Sequence, residues 1–101
     1  MTNPLLIAAP VLAGASAAEE GGAATMGGTM AGAAGPVTAV LPPGGEDASA
    51  AAAAGFAAHG AATDAMLTQL TLVRSLFAQT IASSGVAYTA MDAVNEATLV
   101  I

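Results

Sequence analysis

From Phe56 onward the sequence sets its large side chains three and four residues apart: Phe56, His59, Thr63, Met66, Leu70, Val73 and Phe77. Leu67, Leu76 and Ile81 widen the same stripe. This spacing returns to one face of an α-helix, and it excludes a strand, whose side chains alternate from face to face. It makes the stretch from Ala48 to Ser84 a long helix with an apolar seam. The seam requires something to pack against.

The rest of the chain supplies little. At 101 residues there is room for one small domain. The 55% hydrophobic content includes twenty-nine alanines, while Leu, Ile, Val and Phe together number twenty-one. That is close to the level at which burial no longer offsets the entropy of ordering the chain. A core this thin calls for a partner. Composition also removes several classes of function. Arg74 is the one basic residue against seven acids, and a net charge of −6 opposes both nucleic-acid phosphates and anionic lipid. With no cysteine, disulfides and Cys-ligated zinc are excluded. The run from Pro4-Leu5-Leu6-Ile7 to Ala15-Ser16-Ala17 has the outline of a signal peptide, but it lacks a leading Lys or Arg and has Pro10 at its centre. The uncharged stretch from Gly21 to Val40 holds only Met26, Met30, Val37 and Val40 as lipophilic side chains, too few for the roughly 20 apolar residues of a membrane span.

A first helix is expected over about 8–37, starting close to Pro10, because proline is tolerated in a first helical turn. Gly14, Gly21, Gly28 and Gly35 recur every seven residues, and Ala18, Thr25 and Gly32 complete a stripe of small residues. Beside it runs a second stripe of Val11, Ala15, Gly22, Met26, Met30, Ala33 and Val37. Each glycine costs a helix about 1 kcal/mol relative to alanine. The segment therefore reads as a loose low-complexity chain or as a thin helix that lets another backbone approach. The two are compatible: loose when free, helical when packed. On the second reading Gly14, Gly21 and Gly28 are the positions of close helix packing. Leu41-Pro42-Pro43-Gly44-Gly45 forms a reversal within a turn over about 38–46. Asp47 is the expected N-cap of a second helix over about 47–84, with Ser83-Ser84-Gly85 as its fray point and a tail over about 85–101. A short reversal between two long helices makes an all-α antiparallel hairpin. Phe56, His59, Met66, Leu70, Val73, Leu76, Phe77 and Ile81 would be shared between the hairpin and a partner, because Leu72, Leu76 and Val86 cannot all face the first helix.

No catalytic constellation is present. His59 has no cysteine anywhere in the chain and no carboxylate three or four residues away, which makes it a packing or interface residue. Glu19 and Glu20 point to different sides of a helix and read as its solvated face, as does Asp64. Arg74 can pair with a carboxylate of the first helix or of a partner. Ser49, Ser75, Ser83 and Ser84 lack a local base, and Gly44-Gly45 is not followed by the lysine of a phosphate loop. No enzyme activity, metal or cofactor is expected. Tyr88 and Asp92 stand apart: four residues separate the phenol and the carboxylate, one helical turn on a shared face.

Three segments in this order resemble the PE family of actinobacterial, mainly mycobacterial, proteins. They are Val37 to Ser49, similar to the family's turn and second-helix start; Ala53-Ala54-Gly55-Phe56-Ala57-Ala58-His59-Gly60, similar to its Phe-centred stretch; and Tyr88-x-x-x-Asp92, which looks like the type VII secretion signal. The resemblance covers essentially the whole chain. In place of the family's Pro-Glu pair, Pro10 is followed by Val11. The resemblance implies a two-helix hairpin that completes a four-helix bundle with a PPE-family protein. It implies export of the pair by a mycobacterial type VII (ESX) system without a cleaved signal peptide, with Tyr88 and Asp92 as the recognition residues. An EspG-type chaperone of such systems contacts mainly the PPE partner. The exported pair is expected at the cell envelope or secreted, with roles in nutrient uptake or host interaction. The alternative reading of the residues is a self-associating module, a homodimeric four-helix bundle with no export role.

Overall fold

The computed structural model describes residues 8–99. The apolar run Pro4 to Ile7 lies outside the described residues. Two helices, α1 (Ala9–Thr38) and α2 (Asp47–Thr98), make up the described chain, with no strand among the described residues. The carbonyl of Ala8 accepts from the N–H groups of Val11 (2.9 Å) and Leu12 (3.2 Å), so α1 opens with Pro10 in its first turn, where its missing N–H has no intrahelical partner to lose. Pro36 lies in the last turn of α1. There the Thr38 hydroxyl donates to the Ala34 carbonyl (2.7 Å) and the Ala39 N–H donates to that of Gly35 (2.9 Å), which satisfies carbonyls the helix end would leave unpaired.

Two expectations for α2 are corrected. Its cap is Glu46 rather than Asp47. The Glu46 carbonyl accepts from the Ala50 N–H (3.2 Å), and the Ser49 hydroxyl donates to the Glu46 carboxylate. That side-chain bond, with a lesser contribution from Glu46's own N–H, holds the Glu46 carboxyl below the usual carboxylate range. Because the folded value is the lower one, this contribution is present above the unfolded pKa and is lost as pH falls through the lowered range. The second correction is the helix end. α2 does not fray at Ser83-Ser84-Gly85 but continues to Thr98, so the expected tail is helical as far as that residue. The Ser84 hydroxyl donates to the Thr80 carbonyl (2.9 Å), and Gly85 is buried against the Leu12 side chain. This tertiary cover outweighs the weak local helix propensity of a Ser-Ser-Gly triplet.

The helices pair in two compact units, each of them antiparallel. One is Ala23–Val73; the other joins the chain up to Gly22 with α2 from Arg74 onward. In the Ala23–Val73 unit, Val37 meets Gly60 and Met30 meets Thr71. The α2 residues turned toward α1 are Ala53, Ala57, Gly60, Asp64 and Thr71, all buried or half-buried and on a three-four spacing. In the other unit Leu12 meets Gly85, Ser16 donates to the Ala78 carbonyl (2.7 Å) and Glu19 meets Arg74. Its inward α2 positions are Arg74, Ala78, Ile81 and Gly85.

This seam is displaced by one residue from the large-residue stripe, which on a helix is a rotation of about 100°. Of the eight interface candidates, only Ile81 is half-buried within its own unit; Phe56, His59, Met66, Leu70, Val73, Leu76 and Phe77 are exposed. The glycine expectation fails in the same way. A Cβ placed on Gly14, Gly21 or Gly28 meets nothing within 4 Å, so these glycines are not where α1 and α2 approach. The close contacts fall at Gly60, where the Val37 carbonyl occupies the space of a Cβ, and at Gly22, where the Arg74 guanidinium does so. At Gly60 the obstacle is backbone, so glycine is what admits this approach of the helices; at Gly22 it is the end of a flexible side chain, which can move aside.

Substitution should separate the two classes of glycine. In urea unfolding of the full chain followed by far-UV circular dichroism, Gly14→Ala and Gly28→Ala are each expected to add about 0.5–1 kcal/mol through helix propensity. Gly60→Ala is expected to cost about 1–3 kcal/mol by overpacking against backbone. The same sign at all three positions would contradict this seam.

Candidate functional site

The surface that α2 leaves uncovered is built from its largest side chains. In the Ala23–Val73 unit, Phe56 is 67% exposed, Met66 64%, Val73 60% and Leu70 51%. In the other unit Leu76 and Phe77 remain half or more exposed. Leu72 and Val86, on other faces of α2, are exposed as well. From Ala48 to Met91 the only charged residues of α2 are Asp64 and Arg74, and both occupy seam positions rather than the exposed stripe. The hydroxyls of Thr68, Thr71 and Thr80 each donate to the carbonyl four residues earlier, at 2.9 Å. These donors are thereby satisfied within the helix. The outer face of α2 is thus apolar, uncharged and largely satisfied, which is the character of a protein-binding surface.

In the Ala23–Val73 unit this face opens into a groove of about 470 Å³. Phe56, His59 and Thr63 form its α2 wall; Met30 and Val37 of α1 and Val40 of the turn form the other. The sequence placed Phe56 and His59 on an interface but did not assign this opposite wall. Met30 and Val37 were visible as members of the second α1 stripe, while Val40 sits in a turn where no helical periodicity could mark it. The other unit has a shallower-sided groove of about 710 Å³, lined by small residues such as Ala13, Ser16, Ala82, Gly85 and Ala93.

Two of the polar residues are placed differently from expectation. Glu19 is half-buried, its carboxylate accepting from the Arg74 Nε at 2.8 Å, whereas Glu20 is exposed as expected, its two carboxylate oxygens 3.0 and 2.9 Å from the Ser75 hydroxyl. Asp64 is half-buried beside the groove rather than on an outer face. Tyr88 and Asp92 lie one turn apart on continuous helix, in one unit, Tyr88 45% exposed and Asp92 exposed. Their shared helical face is geometry that an extended tail would not provide.

A sequence profile of the PE family matches residues 5–95. The chain belongs to the PE family. Neither the curated proteins nor the solved structures contain a match to it. Two helices joined by a short turn are consistent with the hairpin expected of a PE-family chain. Val11, which stands where the PE signature would have glutamate, is 68% exposed in the first turn of α1. No described helix of this PE chain is long and apolar enough to cross a membrane.

The Arg74–Glu19 pair is partly exposed on both sides, so its coupling is expected to be small. A double-mutant cycle with Arg74→Ala and Glu19→Ala should give about 0–1 kcal/mol, shrinking as salt rises. A coupling well above that, insensitive to salt, would mean a more desolvated contact than the structure describes.

Proposed function

We propose that this PE chain is a non-enzymatic subunit that pairs with a PPE-family protein and is exported with it by a mycobacterial type VII system. The hairpin would supply two helices of a four-helix bundle and the partner the other two. The observation that carries this reading is the uncharged, exposed apolar face of α2. Surface area supports it. The chain exposes 7190 Å², whereas a folded protein of 9.5 kDa ordinarily exposes about 5000 Å². The excess, roughly 2000 Å², is what one side of an obligate interface buries. Phe56, His59, Met66, Leu70, Val73, Leu76 and Phe77 would be the partner surface, since all seven are exposed and lie where a second protein rather than α1 could reach.

Tyr88 and Asp92 would be the residues read for export. Their placement on one face of a continuous helix supports that assignment. A chaperone of the EspG type would contact mainly the PPE subunit. The destination would be the cell envelope or the exterior, with a role there in nutrient uptake or host interaction.

The test is co-expression with a candidate PPE-family protein. A one-to-one complex should form, and the chain should unfold at markedly lower urea without that protein than with it. A discrete homodimer by light scattering, indifferent to the PPE protein, would instead favour the self-associating bundle. Within the complex, Tyr88→Ala should leave assembly intact and reduce the exported fraction in culture filtrate to background. Export at the wild-type level would remove the role given to Tyr88.

A further inference from the structure

Which face of α2 turns inward is decided differently in the two units. In the Ala23–Val73 unit the Val37 carbonyl rests on Gly60, where any side chain would collide with backbone. The unit that joins the chain up to Gly22 with α2 from Arg74 has no contact of that kind. A Cβ on Gly14 or Gly21 meets nothing within 4 Å, on Gly85 it meets only the Leu12 side chain, and on Gly22 only the Arg74 guanidinium. Against a seam of 3.5-residue period a straight helix drifts about 20° per heptad, so the fit at Gly60 does not by itself fix the inward face two heptads later at Arg74. Apolar burial does not fix it either. The inward set Arg74, Ala78, Ile81 and Gly85 contains one large apolar side chain, whereas the set one position earlier, Val73, Phe77, Thr80 and Ser84, contains two.

Polar contacts do distinguish the two faces. Glu19 is half-buried on the side of α1 that carries Ser16 and Ala23, and its carboxylate accepts from the Arg74 Nε at 2.8 Å. The rest of the guanidinium lies over Gly22. Beside this pair the Ser16 hydroxyl donates to the Ala78 carbonyl at 2.7 Å. Turning α2 by one position, about 100°, would carry Arg74 off the seam and bring Phe77 toward Ser16 and Glu19. Arg74 is the chain's one Lys or Arg. The Glu19 carboxylate would then face apolar side chains, losing hydration with no counter-charge in return.

We propose that the Glu19–Arg74 pair is a rotational lock, with Arg74 the positioning residue that keeps the Phe77 stripe of α2 outward. A partly exposed pair adds little stability, so the lock works by making the neighbouring arrangement worse rather than by making this one much better. Without it, the free chain could cover Phe77 with its own α1. The lock itself needs no partner; its consequence rests on the function proposed above, because Phe77 and Leu76 belong to the surface offered there.

The chain has no cysteine, so single introduced thiols report the orientation. Ala78→Cys sits in the buried seam and Thr80→Cys on the exposed side. In the full chain, maleimide should modify position 80 at least about tenfold faster than position 78, since a seam thiol reacts only on local opening. With Glu19→Ala and Arg74→Ala together, the two rates should come within about threefold of each other, while helicity and the urea midpoint hold because alanine favours helix. Arg74→Lys keeps a cation and should retain most of the wild-type ratio. An unchanged ratio in the double-alanine chain overturns the lock, and so does a ratio lost equally in Arg74→Lys. If Ala78→Cys prevents folding, Ile81→Cys serves as the seam reporter. The dissociation constant of the double-alanine chain for a candidate PPE-family protein should rise by about threefold or more, as the competent orientation becomes a fraction of the population. A collapsed ratio in a chain that binds no PPE-family protein, with or without the pair, supports the lock and removes the function proposed above.

Discussion

Close approach of α1 and α2 through small side chains is the constraint on which the rest of this structure depends. Gly60 lies under the Val37 carbonyl, Gly22 under the Arg74 guanidinium, and Ala53 and Ala78 are buried. Helices that meet this way can satisfy one another's polar groups, as Ser16 does with the Ala78 carbonyl and Arg74 with Glu19. They bury little apolar area in doing so. The described core consists of three alanines, Ala23, Ala53 and Ala78, and no large side chain is fully buried. At about 25 cal/mol for each Å² of apolar surface removed from water, alanine contributes far less than leucine or phenylalanine would.

The consequence is an inverted distribution of side chains. Phe56, Met66, Leu70 and Val73 point outward in one unit, and Leu76 and Phe77 do so in the other. A free-standing domain would turn them inward. Here the small-residue seam occupies the inward face, and the large residues follow one position behind it all along α2. The arrangement makes sense if stability is completed elsewhere, and it links the thin core and the exposed stripe as two results of one choice of seam.

Much of this could be read before the structure. The two helices, the Pro-Pro-Gly-Gly reversal and the start of α2 at Asp47 follow from proline, glycine and three-four periodicity. That Tyr88 and Asp92 would share a helical face was legible from their spacing, and the matched family covers residues 5–95. Three things misled. Heptad glycines suggested helix contact, yet Gly14, Gly21 and Gly28 meet nothing, because periodicity marks a face without saying what covers it. Ser83-Ser84-Gly85 suggested an end, yet Gly85 is a packing position against Leu12. Asp64 and Glu19 suggested solvent, yet both are half-buried, Asp64 on the seam and Glu19 paired with Arg74.

The sequence by itself therefore determined the elements, the reversal and the shortage of core, since these depend on local backbone preference and on composition. Only the tertiary structure decided which of two adjacent stripes on α2 turns inward. Both stripes have the same period and differ by one residue, so a pattern of spacing cannot choose between them. The choice comes from steric fit: a backbone carbonyl can rest on Gly60 and cannot rest on Phe56 or His59.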